Sequence, residues 1–143
     1  MNLFDLSIIK SDYYRLNISY KAKAYISNKE EERVLEIQEY INSFKVKEFL
    51  SLEDKIIIFC PNIKDINLVT TTLNCSKYYS SLSKEDKEST LNNFFNSKDK
   101  FFSILATSSS LEEGLDYSFI RLVVYKDIAY SFLRFLQSSN KGN

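Results

Sequence analysis

Lys55-Ile56-Ile57-Ile58-Phe59-Cys60-Pro61-Asn62 holds three isoleucines and a phenylalanine in unbroken succession, closed by the only proline in the chain. An apolar run without alternation implies a strand covered on both faces, the situation of an interior strand in a parallel sheet. Outward from it, Asn62 and Asp65 are spaced to cap a helix that turns Ile66, Val69 and Leu73 toward the sheet. A short strand is predicted near Lys77–Tyr79. Ser83 with Asp86 opens a helix carrying Leu91, Phe94 and Phe95. Phe102–Thr107 and Arg121–Tyr125 read as further buried strands, and Tyr130–Gln137 as a last helix presenting Phe132, Phe135 and Leu136. Upstream, Ile18, Tyr20 and Ala22 alternate with polar neighbours as in a strand. Ser27 with Glu30 forms a capping-box pattern ahead of a helix bearing Val34, Ile37, Ile41 and Phe44. Its charge run from Lys29 to Arg33 reads as a solvated face.

Strand and helix alternate at least three times, which predicts an α/β domain over 1–143: a three-layer, doubly wound, mostly parallel sheet. Right-handed crossovers bring the carboxyl ends of the strands to one edge, where such sheets bind their ligands. Function is therefore expected in the loops after Cys60, Thr107 and Tyr125.

Composition excludes several chemistries. In 143 residues, 19 Lys+Arg balance 19 Asp+Glu, so any hold on phosphate must be local rather than a bulk polycation effect. Without histidine there is no Ser-His-Asp or Cys-His catalysis and no His-ligated metal. Cys60 and Cys75 lack metal-ligand spacing and read as reduced thiols of an intracellular protein. Gly114 and Gly142 are the only glycines, so neither GxGxxG nor GxxxxGK(S/T) occurs in this sequence. No apolar run reaches membrane-spanning length, and no membrane association is expected. Most of the ten tyrosines and eleven phenylalanines sit at core spacing rather than as stacking platforms. Lys21, Lys23, Arg121 and Lys126 read as ordinary surface cations within reach of phosphates.

The richest segment is Ile104-Leu105-Ala106-Thr107-Ser108-Ser109-Ser110-Leu111-Glu112-Glu113-Gly114-Leu115-Asp116. A buried strand ends at Thr107, hydroxyls crowd the loop, Ser110 with Glu113 caps a turn, and Gly114 is placed to end it. Asp116 adds a carboxylate. Two readings remain open: an ordinary capped turn, or a ledge of hydroxyl and N–H donors suited to a phosphate.

This segment resembles motif V of superfamily 2 helicases, in which a strand ends in Ala-Thr and Gly-x-Asp follows. More narrowly the chain is similar to the second RecA-like lobe of RecQ-type DNA helicases. Arg15-Leu16-Asn17 resembles the Arg-Pro-Asn stretch that opens that lobe, and Ile56–Cys60 the motif IV strand. Tyr78-Tyr79-Ser80-Ser81-Leu82 resembles the Tyr-His-x-Gly-Leu block. Phe135–Asn143 resembles the start of motif VI, usually Gln-Glu-Ser-Gly-Arg-x-Gly-Arg. The blocks occur in family order over nearly the whole chain.

The resemblance implies a lobe of an ATP-dependent 3'-5' DNA helicase, acting in the nucleus on single-stranded DNA. Thr107 and Ser108, with Arg15 and Asn17, fall at nucleic-acid contacts. Gly114 and Asp116 fall at the nucleotide site, and Gln137 matches the motif VI glutamine. Lys141 occupies the first arginine-finger position, preceded by Asn140 where the family has glycine. ATP with Mg²⁺ is implied only together with a first RecA-like lobe, which carries the phosphate loop, so this chain alone is not expected to hydrolyse ATP. The alternative expectation is a catalytically dead, divergent lobe retained as a nucleic-acid or protein interaction module, favoured by Leu16, Tyr79, Asn140 and Lys141.

Overall fold

Four parallel strands and three helices build the centre of the molecule. The computed structural model describes residues 4–10, 18–24, 26, 29–48, 50–51, 53–108 and 119–128. Strands β1 (Phe4–Lys10) and β2 (Ile18–Ala24) precede helix α1 (Glu30–Lys47) and strand β3 (Lys55–Phe59). Helix α2 (Ile63–Leu73), strand β4 (Ser76–Tyr78) and helix α3 (Lys84–Asn96) follow. A 3-10 turn over Lys100–Ser103 leads into β5 (Ile104–Thr107), and β6 (Ile120–Ile128) comes last. The sheet order is β2-β1-β6-β3-β5-β4. β6, β3, β5 and β4 are mutually parallel. β1 and β2 join as an antiparallel hairpin against β6.

The expected three-layer α/β arrangement is present. Successive residues of β3 point to opposite faces, as strand geometry requires. Ile56, Ile58 and Cys60 meet Val34, Ile37, Ile41 and Phe44 of α1 and Ile66 and Val69 of α2. Ile57 meets Phe94 of α3 with Tyr78, Leu105 and Val123 on the other face. Full burial of Ile56, Ile57 and Ile58 explains the missing alternation in the sequence. α2 starts where Asn62 Oδ1 accepts the Asp65 N–H at 2.9 Å, and α3 where Ser83 Oγ accepts the Asp86 N–H at 3.1 Å. Asn74 ends α2 in the left-handed region (φ 53°), a conformation its short polar side chain tolerates. Among the described residues, no helix is long and apolar enough to cross a membrane.

Three expectations need correction. The N-cap of α1 is Lys29, with no side-chain capping bond, rather than a Ser27–Glu30 box. Three acidic residues in the first turn compensate its dipole instead. The charge run there is not simply solvated: Arg33 is buried and Glu30 is engaged by Lys126. Finally, β5 begins at Ile104, because Asp99 Oδ1 accepts the Phe101 N–H and winds residues 100–103 into a 3-10 turn. The predicted helix over Tyr130–Gln137 lies outside the described residues.

At the amino-terminal end of the parallel strands, Arg121 Nε donates to Asp54 Oδ1 at 2.8 Å, both side chains mostly buried. Burial alone would raise the Asp54 pKa, but the Arg121 bond and charge and the Ser51 donors outweigh it and hold it below 3.8. A carboxyl depressed in the folded state stabilises the fold above its unfolded pKa and loses that contribution as pH falls through the folded value. Asp54→Asn should therefore be less stable than the parent at neutral pH. In urea melts the gap should narrow as pH drops below about 4. A constant gap between neutral and acid conditions would contradict this.

Candidate functional site

The carboxyl ends of the four parallel strands form one rim. Phe59 of β3 pairs in register with Thr107 of β5 on one side and Tyr125 of β6 on the other. The Cys60 N–H donates to the Thr107 carbonyl at 2.8 Å, so the ladder stays closed to its last residue. Tyr78 of β4 pairs with Thr107 from the far side. β3, β4 and β5 end at this level, whereas β6 runs on to Ile128 along β1.

The two faces of this rim differ. On the α3 side, Phe59 and Tyr125 stack with ring centroids 4.9 Å apart and an interplanar angle of 14°, both half-buried. Thr107 is fully buried, and its hydroxyl donates to the Ser108 carbonyl at 3.3 Å. Ser108, at the start of the loop, is half-buried. The expected strand end at Thr107 is thus present, with the hydroxyl turned to the backbone of its neighbour.

On the α1 and α2 side, Lys126 is buried with its ammonium between two helix amino termini. Nζ donates to Glu30 Oε2 at 2.8 Å, in the first turn of α1. It lies 3.4 Å from Asp65 Oδ1, in the first turn of α2. Hydrogen bonding to Lys126 lowers the Glu30 pKa against the opposing effect of burial, and the charges of Lys126, Arg33 and Lys64 add to it. The ammonium therefore fixes both helix starts to the end of β6. An open groove of about 720 Å³ lies along those starts, lined among others by Lys29, Glu31, Asn62, Lys64 and Asn67.

Lys126 and Arg121 are corrected from surface cations to structural ones. Lys126 is spent on Glu30 and Asp65, and Arg121 sits on Asp54 at the opposite edge. Period two along β6 carried the signal: Leu122, Val124 and Lys126 share one face, and the first two are core residues. Lys55 behaves likewise. Its buried ammonium donates to the carbonyls of Ser97 at 2.8 Å and Phe102 at 3.3 Å, and burial lowers its pKa.

Of the residues singled out from the sequence, Thr107 and Ser108 stand on this rim. Arg15, Asn17, Gly114, Asp116, Gln137 and Lys141 lie outside the described residues. Cys60 and Cys75 are both buried and neither forms a disulfide. Burial pushes the Cys75 thiol up to about 12, which suits a packing residue and not a nucleophile. Among the described residues, no cluster of three or more carboxylate or thiol side chains could hold a metal ion.

Residues 44–141 match a protein-family model described as the helicase conserved C-terminal domain. The match begins in the last turns of α1 and covers β3 to β6, the segment that forms the parallel sheet. No individual curated protein matches the sequence.

Proposed function

Because the chain belongs to the helicase conserved C-terminal domain family, we propose that it is the second RecA-like lobe of an ATP-dependent, RecQ-like 3'-5' DNA helicase. The observation that carries this reading is the rim itself: Thr107 ends a buried parallel strand at the edge where such sheets meet ligands, and in the sequence Ser108 to Asp116 follows it directly. Thr107 and Ser108, with Arg15 and Asn17, are assigned to the single-stranded DNA backbone.

Gly114, Asp116, Gln137 and Lys141 are assigned to a nucleotide cleft completed by a first RecA-like lobe. ATP with Mg²⁺ is the ligand of that composite cleft, where it supplies the phosphoryl transfer that drives movement along DNA. This chain's own contribution is to hold and orient. The closed β3–β5 ladder fixes the height of Ser108, and the Lys126 clamp fixes the starts of α1 and α2. Nuclear action accompanies this reading.

Binding of single-stranded DNA is expected to weaken with added salt, as phosphate neutralisation requires. Thr107→Ala should weaken it by about three- to tenfold, because the buried hydroxyl that holds the Ser108 carbonyl is lost and Ser108 is no longer fixed at the strand end. Thr107→Ser, which keeps the hydroxyl, should restore it. Fluorescence anisotropy with a labelled oligonucleotide measures both. No binding at low salt would remove the DNA track from the proposal.

The alternative is a lobe retained for interaction alone, which the lysine at position 141 and the asparagine at 140 favour. It predicts DNA or protein binding without restored hydrolysis in any two-lobe assembly.

A further inference from the structure

A second cavity lies at the opposite end of the parallel strands, away from the rim. It has a volume of about 370 Å³ and is enclosed by the last turns of α1, the end of α2 and the 3-10 turn before β5. At about 30 Å³ per water, that is space on the order of ten solvent molecules. Its floor is apolar, with Ile41, Leu73 and Ile104. Lys45 and Lys100 both line its wall, joined by the carboxamides of Gln38, Asn42 and Asn74.

One carboxylate, Asp99, stands in the same wall as the two lysines. Among the described residues neither forms an ion pair. Asp99 Oδ1 accepts the Phe101 N–H at 3.0 Å, and its negative charge offsets one of the two cations. Cys75 borders the cavity too, and with its pKa pushed up to about 12 it is an uncharged thiol at physiological pH. Burial lowers the Lys45 pKa, and the Lys100 charge lowers it further. The wall thus carries two cations against one carboxylate, and an oxyanion placed among them would offset the remaining positive charge.

We propose that this cavity binds a phosphate dianion, held by Lys45 and Lys100 and oriented by the carboxamides of Gln38 and Asn42. The site is separate from the rim and does not depend on the helicase reading. Two sources share this chemistry: free inorganic phosphate, and the phosphate of a small organic ester whose body fills the apolar part against Phe101 and Leu73.

Nuclear magnetic resonance titration of the ¹⁵N-labelled 143-residue chain tests the proposal, with inorganic phosphate and phenyl phosphate as probes at constant ionic strength. Saturable shifts are expected at the amides of Lys45, Cys75 and Ser103. Tighter binding of phenyl phosphate identifies an ester as the ligand, and equal binding identifies the free ion. Lys45→Met with Lys100→Met should weaken either probe by about tenfold or more, since two charge-assisted contacts are lost. Lys100→Met alone, at an exposed position that leaves the core untouched, should weaken it measurably. Thr107→Ala should leave it unchanged. Absence of saturable shifts up to about 10 mM would overturn the proposal, that being weaker than any specific site. So would shifts confined to Cys60, Thr107 and Ser108, or binding undiminished in the double variant.

Discussion

Glu30→Gln combined with Asp65→Asn is expected to cost about 3–5 kcal/mol of folding stability at neutral pH, the range for removing the partners of a buried charge. The reason is an asymmetry of solvation. The Lys126 side chain is 0% exposed, whereas Glu30 is 47% exposed and Asp65 14%. Taking away the carboxylates leaves the lysine buried without the two anions beside its ammonium. Removing the lysine instead leaves carboxylates that water partly reaches and that the amino termini of α1 and α2 still favour. Lys126→Met, which keeps the volume, should therefore cost less than the double carboxylate variant, because an apolar isostere often replaces a buried ion at little cost. Urea unfolding of the three proteins measures the order. If Lys126→Met proved the costliest, the lysine's desolvation would not be what governs this cluster.

The same cluster shows which parts of the molecule a sequence can disclose. The run Lys55–Phe59 was legible as a doubly covered strand because burial on both faces leaves a local trace, the loss of alternation. The caps at Asn62 and Ser83 were legible because donor and acceptor are three residues apart. Glu30 matched the same local pattern, yet its partner is Lys126, 96 residues away, and no local rule ties the two. By residue type Lys126 reads as a surface cation, although its place in the alternation of β6 beside Leu122 and Val124 marks it as inward. The antiparallel hairpin was hidden for a related reason. Alternating residues announce a strand, but its neighbour and direction are set by pairing of β1 with β6 across more than a hundred residues.

At the candidate site, the end of β5 at Thr107 was readable from the apolar run before it. Its complete burial was not, because that depends on β3 and β4 flanking it in register. The cavity beside Lys45 left no trace in sequence order, since its wall gathers residues from α1, α2 and the turn before β5.

In a two-lobe protein made by joining this chain to a RecQ-type first lobe, Lys141→Arg with Asn140→Gly is expected to raise the ATPase rate by up to about 10³–10⁵-fold, the span associated with an arginine finger. In the proposed reading, Lys141 stands where the family has the first motif VI arginine and Asn140 where it has the preceding glycine. A lysine supplies a compact charge, whereas guanidinium presents a planar fork that engages two oxygens of a transferring phosphoryl group at once. Glycine before it admits backbone conformations that a Cβ disfavours, so the single change Lys141→Arg should recover less than the pair. Nucleotide affinity and DNA binding should change far less than rate, because charge placed on the transferring group acts chiefly in the transition state. A rate unmoved by the pair, in an assembly that still binds nucleotide and DNA, would favour the interaction-only lobe. The lost step would then lie beyond the finger, and Thr107 and the Lys126 clamp would be features of a scaffold kept for binding.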